Sequence, residues 1–457
     1  MNLPRQIRQV VRRLSLAAAI AASLFFCCSQ GQGPGIEKIT VLFTNDLSGR
    51  ILTERNGRGG LARIAREAKK IRAENPNTIL LDAGDAAVGT AFTTETKGEA
   101  IFKVMNAAGY DAMVFGNHEF DLGKDQARKY MSLARFPILA CNIRDEQGKA
   151  FAPEYKIFNL AGMRLAVIGV ANPKTTNLVD QSGIEGLKFL APESELRRVQ
   201  SQIAGQADVI ILLSHQGIGE DIGLAYRISG IPLIIGGHSE VKIKGLKVAN
   251  KVNIAQAGDN GYYLGRVDFF WDSVNKKAYS FKGHLINITR DIPEDSAVKE
   301  VIEQESKNLP PGLDKVIGKN WLTVNRIYLG FWMAELLKAE TGADLGIINS
   351  GGVRSSIYRG EVTVADIYDV MPFNDQLASF EMEGSDLLRI KSLRGFYFSR
   401  GPKITAGKSY KVASSDYLLR IHDFPGSKNE KFYDALLRDK MIERIEKDRG
   451  VSGFWGK

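Results

Sequence analysis

From residue 39 to about residue 288, short apolar runs alternate with stretches of helical periodicity. The runs are 39–43, 78–81, 113–115, 137–140, 165–170, 209–213 and 233–235. Between them, Leu61, Ile64, Ala65, Ala68 and Ile71 recur at spacings of three and four, as do Ile101, Val104, Met105 and Ala108 before Gly109. That spacing puts each set on one helical face, so the pattern predicts strands covered by helices in a layered α/β domain. Two further runs, 262–271 and 279–288, flank a polar connection and predict a closing hairpin. Residues 291–308 read as a bridging helix, ended by Pro310-Pro311-Gly312. A second, smaller α/β unit starts near Val316: an amphipathic helix containing Phe331, Glu335 and Leu336, a strand at 345–348, and the glycine-rich turn Asn349-Ser350-Gly351-Gly352-Val353-Arg354.

Most of the strand-like runs end abruptly in polar residues. These are Asn45-Asp46, Asp82 with Asp85, Asn117-His118-Glu119, Cys141-Asn142, Ser214-His215 and His238-Ser239-Glu240. Ligands of open α/β sheets gather at the carboxyl ends of the strands, so these scattered segments are expected to converge.

The chain has 457 residues, 44% hydrophobic and 25% charged, which are globular proportions and exclude a disordered or fibrous chain. The N-terminus changes the picture of where it works. Arg5, Arg8, Arg12 and Arg13 precede the apolar run 14–26 with no acidic residue, which reads as an export signal too short to span a bilayer comfortably. Leu24 lies three residues before Cys27, the spacing of a lipoprotein signal, so a lipid on Cys27 or Cys28 would tie the chain to a membrane; simple secretion and an uncleaved anchor are the other readings. Residues 29–35 then form a Gly/Ser/Gln tether. The expected segments are a signal over 1–28, a tether over 29–36, a first domain over 37–290, a bridge over 291–315 and a second domain over 316–457. The formal charge of +9 falls to +5 without the four leader arginines, too little to argue for nucleic acid. Cys141 is the one cysteine of the exported body, which therefore forms no internal disulfide.

The chain holds five histidines, and His118, His215 and His238 each follow an apolar run. One such histidine is ordinarily structural. Three of them, with Asp46, Asp85 and Asn117, make a donor set of imidazole, carboxylate and amide oxygen that suits divalent Zn, Mn or Fe, and paired ions of that kind activate water for attack on phosphorus.

At these residues the sequence resembles a known family. Thr44-Asn45-Asp46, Leu81-Asp82-Ala83-Gly84-Asp85 with Gly89-Thr90, Gly116-Asn117-His118-Glu119-Phe120-Asp121, Ser214-His215 and Gly236-Gly237-His238-Ser239 are similar, in order and placement, to the signature blocks of calcineurin-like metallophosphatases of the bacterial 5′-nucleotidase group. Downstream, residues 349–354, Gly360-Glu361-Val362-Thr363 and Pro372-Phe373-Asn374 resemble blocks of the nucleotidase C-terminal domain. The resemblance implies a metallophosphatase-type β-sandwich flanked by helices, followed by a smaller α/β substrate domain. It implies one or two divalent ions (Zn, Mn or Mg): Asp85 bridging, Asn117, His215 and His238 completing one site, Asp46 holding the other. His118 would serve the leaving oxygen, oriented by Asp121. Asn349, Arg354, Tyr417 and Asp423 would bind a small phosphoester or nucleotide.

Two departures fall on the same ion. The family has Asp-x-His and His-x-His where this chain has Asp46-Leu47-Ser48 and His238-Ser239-Glu240, leaving Asp46, Asp85, Glu240 and the Ser48 hydroxyl as an oxygen-only set. One reading is a harder ion there, Mg, Mn or Ca. The other is an empty position, in a one-metal enzyme or in a relative that binds a ligand at the cell surface without turnover. The family's late glycine-rich GGDG turn is also replaced, by Asp416-Tyr417-Leu418-Leu419-Arg420-Ile421-His422-Asp423. Phe396 and Phe398 read as core positions of a strand, the other reading being a stacking face supplied by Phe396, Tyr397 and Phe398; His284, His422 and Cys141 read as structural, Asp82 as no ligand, and the helical spacing of Leu436, Leu437, Met441, Ile442 and Ile445 as a docking face.

Overall fold

The structure is a computed structural model that describes residues 35–421 and 424–451. The signal over 1–28 with Cys27 and Cys28, residues 29–34 of the tether, His422 and Asp423 lie outside the described residues. Among those described, no helix is long and apolar enough to cross a membrane.

The first unit carries, in chain order, β1 (Ile36–Thr44), β2 (Thr78–Asp82), β3 (Ala112–Val114), β4 (Ile138–Leu139), β5 (Ile143–Arg144), β6 (Tyr155–Leu160), β7 (Met163–Val170), β8 (Lys188–Phe189), β9 (Val209–Ser214), β10 (Leu233–Gly236), β11 (Lys247–Ala249), β12 (Val252–Ala255), β13 (Tyr263–Asp272) and β14 (Lys277–Asn287). They form two six-stranded sheets, ordered β14-β13-β1-β2-β3-β4 and β11-β12-β10-β9-β7-β6. β1 through β4 run parallel, as do β7, β9, β10 and β12. Ile39, Val41 and Phe43 of β1 meet Leu165, Val167, Ile211 and Leu213 in the core between the sheets. Leu42 faces outward and packs with Leu61, Ile64, Ala65, Ala68 and Ile71 of the helix Leu61–Glu74. Both faces of these strands are thus buried, which explains why their sequences are unbroken apolar runs.

The second unit carries β15 (Val316–Asn320), β16 (Leu345–Asn349), β17 (Gly360–Thr363), β18 (Gln376–Glu383), β19 (Phe396–Phe398), β20 (Ser409–Ser415) and β21 (Lys428–Leu436). Five of them form a mixed sheet, β19-β16-β20-β18-β21, with a core on each face. Phe396 and Phe398 pack against one of those cores, in the strand expected of them. Leu437, Met441 and Ile445 of the last helix, Leu437–Asp448, are buried against the other. The helix Arg326–Thr341, started by the Asn325 side chain accepting the Tyr328 amide, differs from its expected pattern. Its buried residues include Leu329, Trp332, Met333, Leu336 and Leu337, while Phe331 is 39% exposed and rests edge-on against Tyr397. Packing on two sides of the helix spreads its apolar residues around the axis and blurs the stripe.

Specific polar ties join the two units. Arg50 Nη1 pairs with Asp369 Oδ2 at 2.7 Å, Arg55 Nη1 donates to the Glu361 carbonyl at 2.6 Å, and Tyr417 Oη donates to the Leu178 carbonyl at 2.8 Å. Thr94 Oγ1 donates to the Pro372 carbonyl at 3.1 Å.

Candidate active site

The carboxyl ends of β1, β2, β3, β9 and β10 deliver the polar segments to one place. Asp85, His215 and His238 each present a ligand atom within 4.8 Å of the other two. The His215 Nδ1–H donates to the Ala83 carbonyl at 2.6 Å, which leaves Nε2 with its lone pair, buried and 2.9 Å from Asp85 Oδ2 without a directed hydrogen bond. Asn117 Oδ1 is likewise buried with no donor facing it. A backbone carbonyl that fixes the imidazole tautomer, and two buried lone pairs without donors, are what a divalent ion requires of its ligands. The residues therefore fit a metal.

The loops that hold these side chains are strained. Asp46, Ser48, Asp85, His238 and Glu240 all take positive φ, between 48° and 71°. A left-handed backbone costs a residue with a Cβ roughly 1 kcal/mol or more, so the surrounding bonds must impose it. Glu119 is one such restraint: its carboxylate, fully buried, accepts the amides of Asp85 at 2.9 Å, Ala86 at 2.8 Å, Ala87 at 3.0 Å and Gly116 at 2.8 Å. Gly116 permits the approach, since a Cβ there would stand 2.1 Å from Asp85 Oδ1. Asp85 Oδ1 also accepts the His118 amide at 2.8 Å.

Asp46 accepts the His238 amide on both carboxylate oxygens, at 3.1 and 3.0 Å, and the Asn45 side-chain amide at 2.7 Å. Asp46 and Glu240 fall outside the three-residue cluster. Ser48 Oγ turns back to the Asp46 carbonyl at 3.4 Å. Asp82 is held by Thr44 and the Gly84 amide and takes no part.

His118 Nδ1–H donates to Asp121 Oδ2 at 2.8 Å, and the His118 ring stacks on Phe373 of the second unit, with centroids 6.1 Å apart. Burial works to lower His118, but the charges of Asp121 and Asp85 raise it to about 9. Burial also opposes the charge of Asp85, yet His215 and His118 hold it well below the usual carboxylate range. Burial works against a charge on His215, yet Asp85 raises it to about 10, so the ion that takes the Nε2 lone pair would have to displace a proton held there by Asp85; burial and the neighbouring His215 push His238 down to about 4. Burial, reinforced by Asp85, lifts Asp46 to about 7.

From the second unit, Arg354 reaches in: Nη2 lies 3.7 Å from Glu240 Oε1 and donates to Ser48 Oγ at 3.4 Å. Asn349 does something else. Its Oδ1 accepts the Gly352 amide at 3.1 Å and so caps the turn that carries Arg354. The Tyr417 hydroxyl is engaged with Leu178, and Asp423 lies outside the described residues.

The calcineurin-like phosphoesterase profile matches residues 39–241, and the profile of the 5′-nucleotidase C-terminal domain matches 320–392. A 5′-nucleotidase of Vibrio cholerae is 30% identical over 82% of this chain and 79% of that protein. The chain belongs to the 5′-nucleotidase family. A 5′-nucleotidase of Vibrio vulnificus is 29% identical over 96% of each chain. The solved structure of a 5′-nucleotidase precursor from Thermus thermophilus shares the fold, with a TM-score of 0.81 at 22% identity over 91% of this chain and 97% of that one. Membership makes the chain a metallophosphoesterase, a hydrolase that works with divalent ions.

Within this 5′-nucleotidase-family chain, sequence reasoning missed the work of Glu119 and Phe373. Glu119 stood in a recognised block without a role, and nothing in its sequence neighbourhood signals that its carboxylate turns inward onto backbone amides. Phe373 acts across the interface between units, where no local pattern points.

Proposed function

We propose that the chain is an exported 5′-nucleotidase that removes phosphate from a nucleotide, or a related organic phosphate, outside the cytoplasm. The observation that carries the hydrolytic reading is the meeting of His215 Nε2 and Asn117 Oδ1, buried lone pairs without donors, beside a histidine anchored by Asp121. The Vibrio relatives, 5′-nucleotidases by name, support the nucleotide. The basic-then-apolar leader supports export, and Cys27 or Cys28 would carry the lipid of a membrane-tethered form.

A divalent ion held by Asp85, Asn117, His215 and His238 supplies neutralisation of phosphoryl charge and activation of water. The protein's own groups do the rest. His118 commits Nδ1 to Asp121, so Nε2 is the nitrogen left to place a proton on the leaving oxygen. The raised affinity of the ring for protons, from Asp121 and Asp85, keeps that proton available at neutral pH. Stacking on Phe373 restricts rotation of the ring. Arg354 brings a fixed positive charge and a planar fork suited to phosphate oxygens.

Phosphate release from AMP by the full-length chain, measured with Zn, Mn and Mg and with EDTA and His118→Asn as controls, tests the reading. Ion-dependent release lost in the variant is expected. A folded chain that releases nothing with any ion would instead be a ligand-binding relative without turnover.

A further inference from the structure

The oxygens left for a second cation are each turned toward a donor. Both Asp46 carboxylate oxygens receive the His238 amide, and one also receives Asn45. The Ser48 hydroxyl spends its proton on the Asp46 carbonyl and accepts from Arg354 at 3.4 Å. Glu240, in a left-handed backbone at φ 53°, directs Oε1 toward the same Arg354 nitrogen at 3.7 Å. Among the described residues, one cluster of His, Cys, Asp and Glu has the spacing to hold an ion, and it contains neither Asp46 nor Glu240.

Arg354 is not a loose surface cation. Its side chain is 14% exposed, and its amide donates to the Val370 carbonyl at 2.8 Å. The preceding turn is fixed by the Asn349 cap and by Arg326 Nε donating to the Val353 carbonyl at 2.7 Å. A rigid turn thus sets the planar guanidinium fork where Ser48 and Glu240 face the cleft.

We propose that this chain carries a single divalent ion, in the Asp85–Asn117–His215–His238 set, and that Arg354, held by Glu240, takes the place of a second ion as the other positive partner of the phosphate. Glu240 is then a positioning residue for Arg354. A guanidinium meets two phosphate oxygens through parallel N–H bonds, so it binds the charge that a second ion would bind. A dication beside it would meet repulsion from a fixed charge.

The proposal rests on the phosphoesterase reading and is tested separately from it. The full-length chain is dialysed to equilibrium against Mn(II) and, in parallel, Zn(II). Bound metal per chain is counted by mass spectrometry, the Mn(II) form is examined by electron paramagnetic resonance, and inorganic phosphate binding is followed by calorimetry. One ion per chain, with the spectrum of an isolated Mn(II), is expected. Arg354→Met should weaken inorganic phosphate binding by about tenfold or more with the ion count unchanged. Glu240→Gln should weaken it less, again at one ion, and thermal melts of both variants check that they fold. Two ions per wild-type chain, an exchange-coupled Mn spectrum, or an ion lost with Glu240→Gln would overturn the single-ion assignment. Phosphate affinity unmoved by Arg354→Met in a folded chain would overturn the role of Arg354. One ion without hydrolysis of any phosphoester defeats only the proposed function. No bound ion defeats both.

Discussion

Glu119 Oε2 receives the backbone amide of Asp85 at 2.9 Å, so a buried carboxylate bonded to backbone amides fixes the residue around which the site is arranged. Its second oxygen receives the next two amides, and the Asp85 loop keeps its left-handed turn at φ 59° because its donors are satisfied there.

Replacing that carboxylate tests the idea. Glu119→Gln keeps the shape but turns an NH2 group toward backbone donors that were accepted before. Stability should fall by about 2–4 kcal/mol, as expected when a buried hydrogen-bonded charge is removed and its donors are left unpaired. Ion affinity should fall about 10–100-fold, as for the loss of an outer-shell support. Urea unfolding and calorimetric titration with Mn(II) measure the two.

Asp121→Asn separates His118, the residue proposed to serve the leaving oxygen, from the proposed ion site. The His118 ring loses an anionic acceptor and the charge that favours its protonated form. Turnover should drop by about 10²–10⁴, the range for a misassigned general acid and its orienting carboxylate, while the bound ion count stays the same. Steady-state kinetics with metal analysis of the same sample settles it; a parallel loss of ion would mean that Asp121 acts through the loop instead.

Gly116→Ala places a methyl 2.1 Å from Asp85 Oδ1 and 2.5 Å from the Asp85 amide, distances that no local adjustment accommodates. The carboxylate must move. Ion affinity should fall more than about tenfold even if the chain keeps most of its stability, because ligand placement tolerates little displacement. Retention of wild-type affinity would show that Asp85 is not a ligand.

Stability should depend on pH through Asp375, far from the ligands in sequence. Burial, helped by the charge of Asp416, pushes its carboxyl from 3.8 up to about 7. Between those values the folded chain keeps a proton that the unfolded chain has released, so this group's contribution declines as pH rises from about 4 to about 7 and is constant outside that window. Asp375→Asn removes the titration. Relative to wild type it should gain stability across that window, by up to roughly 4 kcal/mol for a shift of about three units. Denaturant melts at pH 4.5 and 7.5 give the comparison, and an equal difference at both values would refute the assignment.

The strands that carry the ligands were legible because both faces of β1, β2, β9 and β10 are buried, leaving unbroken apolar runs that stop where the chemistry begins. β21 was not legible: most of Lys428–Leu436 is exposed and four of its nine residues are charged, and its strand character comes from pairing with β18 rather than from its own pattern. The replacement of expected histidines by Ser48 and Glu240 could be read from the chain. That Arg354 meets both could not, since it depends on how the two units dock.

The proposed ligands Asp85 and Asn117 follow the ends of β2 and β3 in one sheet, and His215 and His238 follow the ends of β9 and β10 in the other. An ion coordinated by all four is consequently a clasp between the halves of the sandwich, and a chain with one sheet assembled has only half of the grip. Affinity for the ion thereby becomes a gauge of completed folding, and stripping the ion should loosen the seam at that rim first, seen as faster amide exchange after those four strands, while their opposite ends stay closed.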